Sequence, residues 1–218
     1  MSQISVSLFF WHILFLTEVI KMDLPWGDER TKQFVTNVGL VTSNGSYGHD
    51  VMACEWTHHI SYSPGLIAVC INPKDATSAN IAETKEFGVS LCASEQNVPS
   101  SIAGGYSGKN FDKIGALKEL GFKFFNAKKI NVLMVEGAAM SAECKLYKKI
   151  RLGDHIMFVG EVVEAYLIKD SKDWKPKDIA PLVYHSQKYW KIGENAQKPP
   201  QIELDRIKSI VQKHSKAQ

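Results

Sequence analysis

Long apolar runs, paired cysteines and a charge excess are all missing from this chain, and each absence removes a class of protein. The most apolar stretch, Val6 to Ile20, is interrupted by His12 and Glu18 and falls short of the ~20 residues a membrane-spanning helix needs. It has neither a basic leading region nor a small-residue cleavage site, so it is a poor fit to a secretory signal. There are only four cysteines, Cys54, Cys70, Cys92 and Cys144, and none stands at Cys-x-x-Cys spacing. Each lies in an apolar, strand-like run, which argues for reduced, buried thiols in a cytoplasmic protein and against a disulfide framework or a zinc site. His58-His59 lies close to Cys54, but no fourth ligand follows at a sensible spacing, so no metal is expected. A net charge of +3 over 218 residues is too small to imply nucleic acid. The one basic cluster, Lys145, Lys148, Lys149 and Arg151, reads as a solvated strand face. No Gly-x-Gly-x-x-Gly dinucleotide fingerprint, internal repeat or low-complexity segment is present.

What is present suits one domain with appendages. Residues 1–21 stand apart. Met22 opens MDLPWGDERTK, and residues 1–21 are expected to be an upstream extension. A helix on a dimer surface and a weak membrane anchor are the other readings of that segment. The main domain is expected over residues 22–195, and residues 196–218 form a tail with an amphipathic helix near Ile202–Lys213. Phe34–Ser43 is β-branched and bounded by Asn44-Gly45, a hairpin signal. His49–Trp56, Gly65–Ile71 and Phe87–Ala93 read as further strands, with an irregular connection after Trp56 and a helix over Ala79–Glu86. Short helical patterns follow at Val98–Ala103 and Phe111–Leu120. Asn131–Val135, Ala138–Leu146, His155–Ile168 and Leu182–Tyr189 are candidate strands punctuated by turns. Many short strands with turns between them predict a small antiparallel barrel rather than a βαβ sheet.

The densest information lies between His49 and Ile81. A strand ends in Trp56. An apolar strand, Gly65–Ile71, runs into Asn72-Pro73-Lys74, and Thr77 and Ser78 then open a helix. Free N–H groups and the positive dipole end of a helix, together with hydroxyls and a nearby lysine, make a good anion seat. Simple N-capping by the hydroxyls is the plainer reading, but Asn80 and Ile81 stand where a capping box would want Glu or Gln. An aromatic residue and a phosphate seat in one short unit suggest a phosphorylated cofactor with a flat ring.

These residues resemble the flavin reductase-like domain, the FMN-binding split β-barrel family. Its motif of approximately Asn-Val-Met-Thr-Ala-Ser-Trp stands here as Asp50-Val51-Met52-Ala53-Cys54-Glu55-Trp56. A strand ending in Asn-Pro with a following hydroxyl stands as Ile71-Asn72-Pro73 with Thr77. A Gly-Asp-His turn entering a strand is Gly153-Asp154-His155, followed by Phe158 to Val162. A Pro-Leu-Val-Tyr hairpin begins at Pro181. The four motifs occur in the family's order, and the resemblance runs from Val35 to Ile192.

The resemblance implies a mainly β protein with peripheral helices, a split barrel of Greek-key-like antiparallel strands. It implies bound FMN, with the phosphate at Thr77 and Ser78 and a cation from Lys113; Lys109 and Lys74 are its competitors. Met52, Ala53, Cys54, Glu55 and Asn72 would border the ring, with main-chain groups of residues 53–55 facing its N5 and O4 side, and Trp56 would wall the site. His155 would lie near the flavin and the nicotinamide, orienting rather than abstracting a proton, and is the candidate catalytic residue. Tyr189, with Tyr184 and His185, would line the opposite wall. Asp50 and Glu55 depart from the motif. Acidic groups near a flavin disfavour its anionic reduced form, which leaves open whether Asp50 touches the ring. Cys54 reads as a small buried side chain rather than a redox thiol. The activity implied is an NAD(P)H:FMN oxidoreductase, a flavin reductase passing hydride from nicotinamide to flavin N5, in a cytoplasmic homodimer. The alternative is a flavoredoxin-like electron carrier with no direct NAD(P)H oxidation.

Overall fold

The computed structural model describes residues 22–167 and 179–192. The expected extension at 1–21 and the tail at 196–218 lie outside them. Twelve strands and three α-helices are present among the described residues, and every strand pairing is antiparallel. The fold is mainly β with peripheral helices, as the alternation of short apolar runs and turns predicts.

A seven-stranded sheet forms the body. It is built from β2 (Gly39–Ser43), β3 (Asp50–Cys54), β4 (Thr57–Tyr62), β5 (Gly65–Ile71), β6 (Glu86–Leu91), β9 (Met140–Leu152) and β10 (His155–Leu167), in the order β3-β2-β6-β9-β10-β5-β4. β3 and β4 are the two edges of this sheet, yet only Glu55 and Trp56 separate them in the chain. Cys54 and Thr57 are three Cα steps apart and can be no more than about 11 Å from each other, so the sheet must curl until its edges come close at that end. A methyl on Gly39 of β2 would collide with the Thr57 side chain of β4 for the same reason. No ladder joins β3 to β4. The seam therefore opens away from Glu55-Trp56.

A second sheet, β1 (Val35–Asn37), β11 (Leu182–His185) and β12 (Lys188–Lys191), lies alongside in the order β1-β11-β12. β7 (Phe124–Asn126) and β8 (Leu133–Val135) form a separate hairpin. One core fills the inside of the curled sheet with Val41, Val69, Ile71, Phe87, Val89 and Phe158, closed by Ile81 of α1 (Ala76–Thr84). Gly160 faces this core, where a methyl group would overlap the Phe87 ring and Cys144. A second core, with Val38, Leu40, Val51, Ala103, Ile114 and Leu117, lies under α2 (Asn97–Gly105) and α3 (Lys113–Glu119).

Several expectations change in detail. The irregular connection after Trp56 is β4, paired to β5 with one register shift. Its polar outer face, with His58 and His59 exposed, hides the apolar alternation of a strand. Leu182–Tyr189 is not one strand but a hairpin turning at Ser186-Gln187, both with positive φ. The connection at Asn44-Gly45 is a six-residue loop, residues 44–49. α1 begins at Ala76 and its N-cap is Asp75, so Thr77 and Ser78 sit inside the first turn instead of capping it. The helix expected from Phe111 starts at Lys113, because Asp112 caps it by accepting the Gly115 N–H at 2.8 Å.

Candidate functional site: a cleft at the seam of the sheet

The seam holds a cleft of about 690 Å³, within the range of small-molecule sites. Its floor is Met52, Ala53, Cys54 and Glu55 at the end of β3, with Ile71 and Asn72 at the end of β5. Trp56 and His155 form one wall, their ring centroids 4.7 Å apart at 57°. Tyr184, Ser186 and Gln187 of the β11–β12 hairpin face them, and Trp26 and Phe34 of the leading segment form the rim. Eight of the residues expected from the sequence are therefore brought together: Met52, Ala53, Cys54, Glu55, Trp56, Asn72, His155 and Tyr184.

Local chemistry explains each placement. The two-residue passage from β3 to β4 cannot bury a large ring, so Trp56 stays 44% exposed and projects over the cleft. Gly153, at φ 55°, makes the tight turn between β9 and β10. That turn delivers His155 to the mouth of β10, with its Nδ1 2.8 Å from Asp154 Oδ1. The His155 interaction holds the exposed Asp154 carboxyl below its ordinary range. Asn72 stops β5: its side-chain oxygen accepts the Lys74 N–H at 3.0 Å, and its carbonyl accepts the Asp75 N–H. The Cys54 thiol donates weakly to the Trp56 and Cys70 carbonyls, and burial pushes its pKa up to about 11. It is a packed thiol and not a nucleophile at neutral pH. Burial also raises the Glu55 carboxyl, while a Thr36 hydroxyl pulls it down.

The other expected residues sit elsewhere. Tyr189 belongs to an adjoining cleft of about 420 Å³, shared with Glu55, Tyr184, Trp26 and Ser101. Burial pushes its phenol up to about 12, with smaller contributions from Tyr184 and Cys92. His185 accompanies Phe34, whose carbonyl lies 3.3 Å from His185 Nδ1. Thr77 and Lys113 line a recess of about 80 Å³ that shares Met52, Ala53 and Asp75 with the main cleft. Ser78 is buried one residue further along α1. Lys109 is not in this recess; it lies over the Tyr47 ring, 5.4 Å from its centroid.

The recess contains a residue whose partners the sequence did not disclose. Asp50 is 3% exposed. Its Oδ1 is 2.9 Å from Lys113 Nζ, and its Oδ2 accepts the Thr77 hydroxyl at 2.7 Å. Asp75 stands at the junction of recess and cleft, its carboxyl raised by burial, lowered by Lys113 and His155 and raised again by Asp50. Its side chain makes no capping bond to α1. Trp26 and Phe34 were also missed as site residues. An isolated tryptophan before a glycine in a polar segment was the available signal for the first.

Among the described residues no group of three or more His, Cys, Asp or Glu side chains could hold a metal ion, and no helix is long and apolar enough to cross a membrane. The fit to a flavin divides at the ribityl end. A flat ring fits the slot between Trp56 and the hairpin, which residues 52–55 border. At the phosphate end, the cation and one hydroxyl are already bonded to Asp50.

A curled antiparallel sheet with an aromatic-walled cleft at its seam defines a split-barrel class of small-molecule protein. The chain belongs to the family described as the flavin reductase like domain, whose model matches residues 31–193. It is 32% identical over 131 residues to an uncharacterized protein of Pyrococcus abyssi, covering 60% of this chain and 73% of that one. It is 29% identical over 134 residues to a ferric-chelate reductase (NAD(P)H) of Archaeoglobus fulgidus, covering 61% and 76%. The crystal structure of flavoredoxin from Methanosarcina acetivorans superposes with a TM-score of 0.68 at 22% identity, covering 82% of this chain and 94% of that one. At that identity the superposition speaks for the fold alone.

Proposed function

We propose that this protein is an NAD(P)H-dependent flavin reductase that uses FMN. The observation that carries the reading is the seam cleft, where the end of β3 at residues 52–55, the apolar Ile71 and the Trp56–His155 wall converge. Bound flavin would supply the redox chemistry, taking a hydride equivalent from the nicotinamide and passing electrons to an acceptor. The chain's own task is positional. Met52, Cys54 and Ile71 give an apolar floor, Trp56 covers the ring, and His155 orients the donor at the cleft mouth. Trp26, Phe34 and the hairpin limit water access. The similarity to the Archaeoglobus relative, a ferric-chelate reductase (NAD(P)H), supports the same class of reaction.

Two further parts of the proposal are a homodimer and a cytoplasmic location. Trp26 and Phe34 on the cleft rim are 73% and 63% exposed, an apolar surface that a second copy would cover. Four free cysteines suit a reducing compartment.

The test is a visible spectrum of the purified protein with added FMN, followed by anaerobic NADH and then NADPH. Flavin bands that bleach rapidly with one nucleotide are expected. Bands that bleach only with dithionite would overturn the reductase reading in favour of an electron carrier. A spectrum that stays that of free FMN would overturn the flavin reading altogether.

A further inference from the structure

Asp50 changes what the recess can reward. It is bonded to both groups that would otherwise recognise a phosphate there, the Lys113 ammonium and the Thr77 hydroxyl. The arrangement is enclosed. Lys113 and Asp50 side chains are 3% and 4% exposed, and the chain passes so closely at Gly108 that any side chain there would strike the Asp50 carboxylate. A buried pair of this kind is hard to open, because separating it leaves a charge without a partner in a poorly solvated site. Lys113 and Asp50 cancel in charge, and the half-buried Asp75 adds a second carboxyl at the entrance. What remains for an anion is the first turn of α1, whose N–H groups no side chain caps. These attract an anion only weakly when carboxylates stand beside them. The recess, about 80 Å³, opens from the cleft past Met52 and Asp75, which is where the tail of a ring seated in the slot would enter.

We propose that Asp50 is a specificity-determining residue of the flavin site: as a resident counter-anion it occupies Lys113 and Thr77, so the protein selects flavins by their ring and takes a phosphate-free flavin as readily as a phosphorylated one. The inference rests on the flavin reading above and adds to it which part of the ligand is recognised. FMN is then one accepted flavin among several. Replacing Asp50 by Asn would free the ammonium and return the recess to net attraction for a phosphate monoester.

The experiment is a set of equilibrium titrations of the full chain with riboflavin and with FMN, read by quenching of flavin fluorescence. For the unaltered protein the two dissociation constants are expected within about tenfold of each other, that is within about 1.4 kcal/mol. For Asp50→Asn, FMN should bind more than about tenfold tighter than riboflavin, and FMN should raise the melting temperature of this variant more than that of the parent. The Asp50→Asn, Lys113→Met double variant removes the freed charge and should lose the FMN preference, which guards against a single variant that folds poorly. An unaltered protein that binds both flavins but prefers FMN by far more than tenfold would overturn the role given to Asp50 while leaving the flavin reading intact. Binding of neither flavin would overturn both.

Discussion

At the residue scale the cleft separates groups that can act from groups that only pack. His155 is held by its turn and by Asp154, and packs against Trp56 at a tilt. His155→Ala should therefore lower turnover with NAD(P)H by about tenfold or more through lost orientation, with a much smaller change in flavin affinity. Equal losses in both, measured by steady-state kinetics and flavin titration, would make it a purely structural histidine. The thiols behave oppositely. Burial pushes Cys54 and Cys92 up to about 11 and Cys144 up to about 12, against an ordinary 9.0. Below pH 9 these thiols are protonated in folded and unfolded chains alike, and their contribution to stability is whole. Above it the unfolded chain ionises first, so stability is lost as pH rises through the folded values. Melting temperatures between pH 8 and 11 should fall, and Cys144→Ala should fall less steeply; an unchanged slope would count against ionisation of this thiol as a cause. Much of the site was legible at this scale. Met52 to Trp56, Asn72 and His155 were readable because each is a strand end or turn with a recognisable pattern. The Asp50–Lys113 pair was not, since 63 positions of chain separate its members and only folding shows that they meet.

At the element scale, the hairpin of β9 and β10 organises the rest. It carries β6 on one side and β5 on the other, and Gly160 in its middle leaves room for the Phe87 ring of β6. Gly160→Ala should cost about 1–3 kcal/mol by overpacking, measurable as a lower urea midpoint. Phe87→Leu added to it should recover part of that loss, because the overlapping ring atoms are removed; additive losses would place the strain elsewhere. Strands flanked by turn residues, such as Gly65–Ile71 and His155–Leu167, were legible within a residue or two. β4 was not. Its THHISY sequence shows a burial pattern with only Thr57 buried, and an edge strand with a solvated face carries no apolar period to detect. β7 was missed for a similar reason, being three residues long. The start of α1 was misplaced because hydroxyls in Thr77-Ser78 looked like caps, whereas Thr77 bonds to Asp50, a residue 27 positions earlier.

At the scale of the whole molecule, the cleft is half made of the sheet and half of a thin outer layer. The sheet side is backed by the buried core, with Val41, Val69 and Phe158 packed together there. The outer layer is the segment around Trp26 and Phe34 and the β1-β11-β12 sheet, with Trp190 and Val35 also exposed. This outer layer is poorly buried by the described residues, and two of its exposed aromatic side chains, Trp26 and Phe34, border the cleft. Covering this face with a second copy would bury the exposed rings and stiffen one wall of the cleft at once. Light scattering of the purified protein should thus report a particle of two 24.4-kDa chains. Phe34→Glu places a charge in that face and should yield monomers, because an unpaired carboxylate is costly to bury. The monomer should also bind flavin more weakly, since Phe34 contributes to the rim of the cleft. A parent protein that runs as a monomer with full flavin affinity would break the link between assembly and site, and the outer layer would then have to close the cleft unaided.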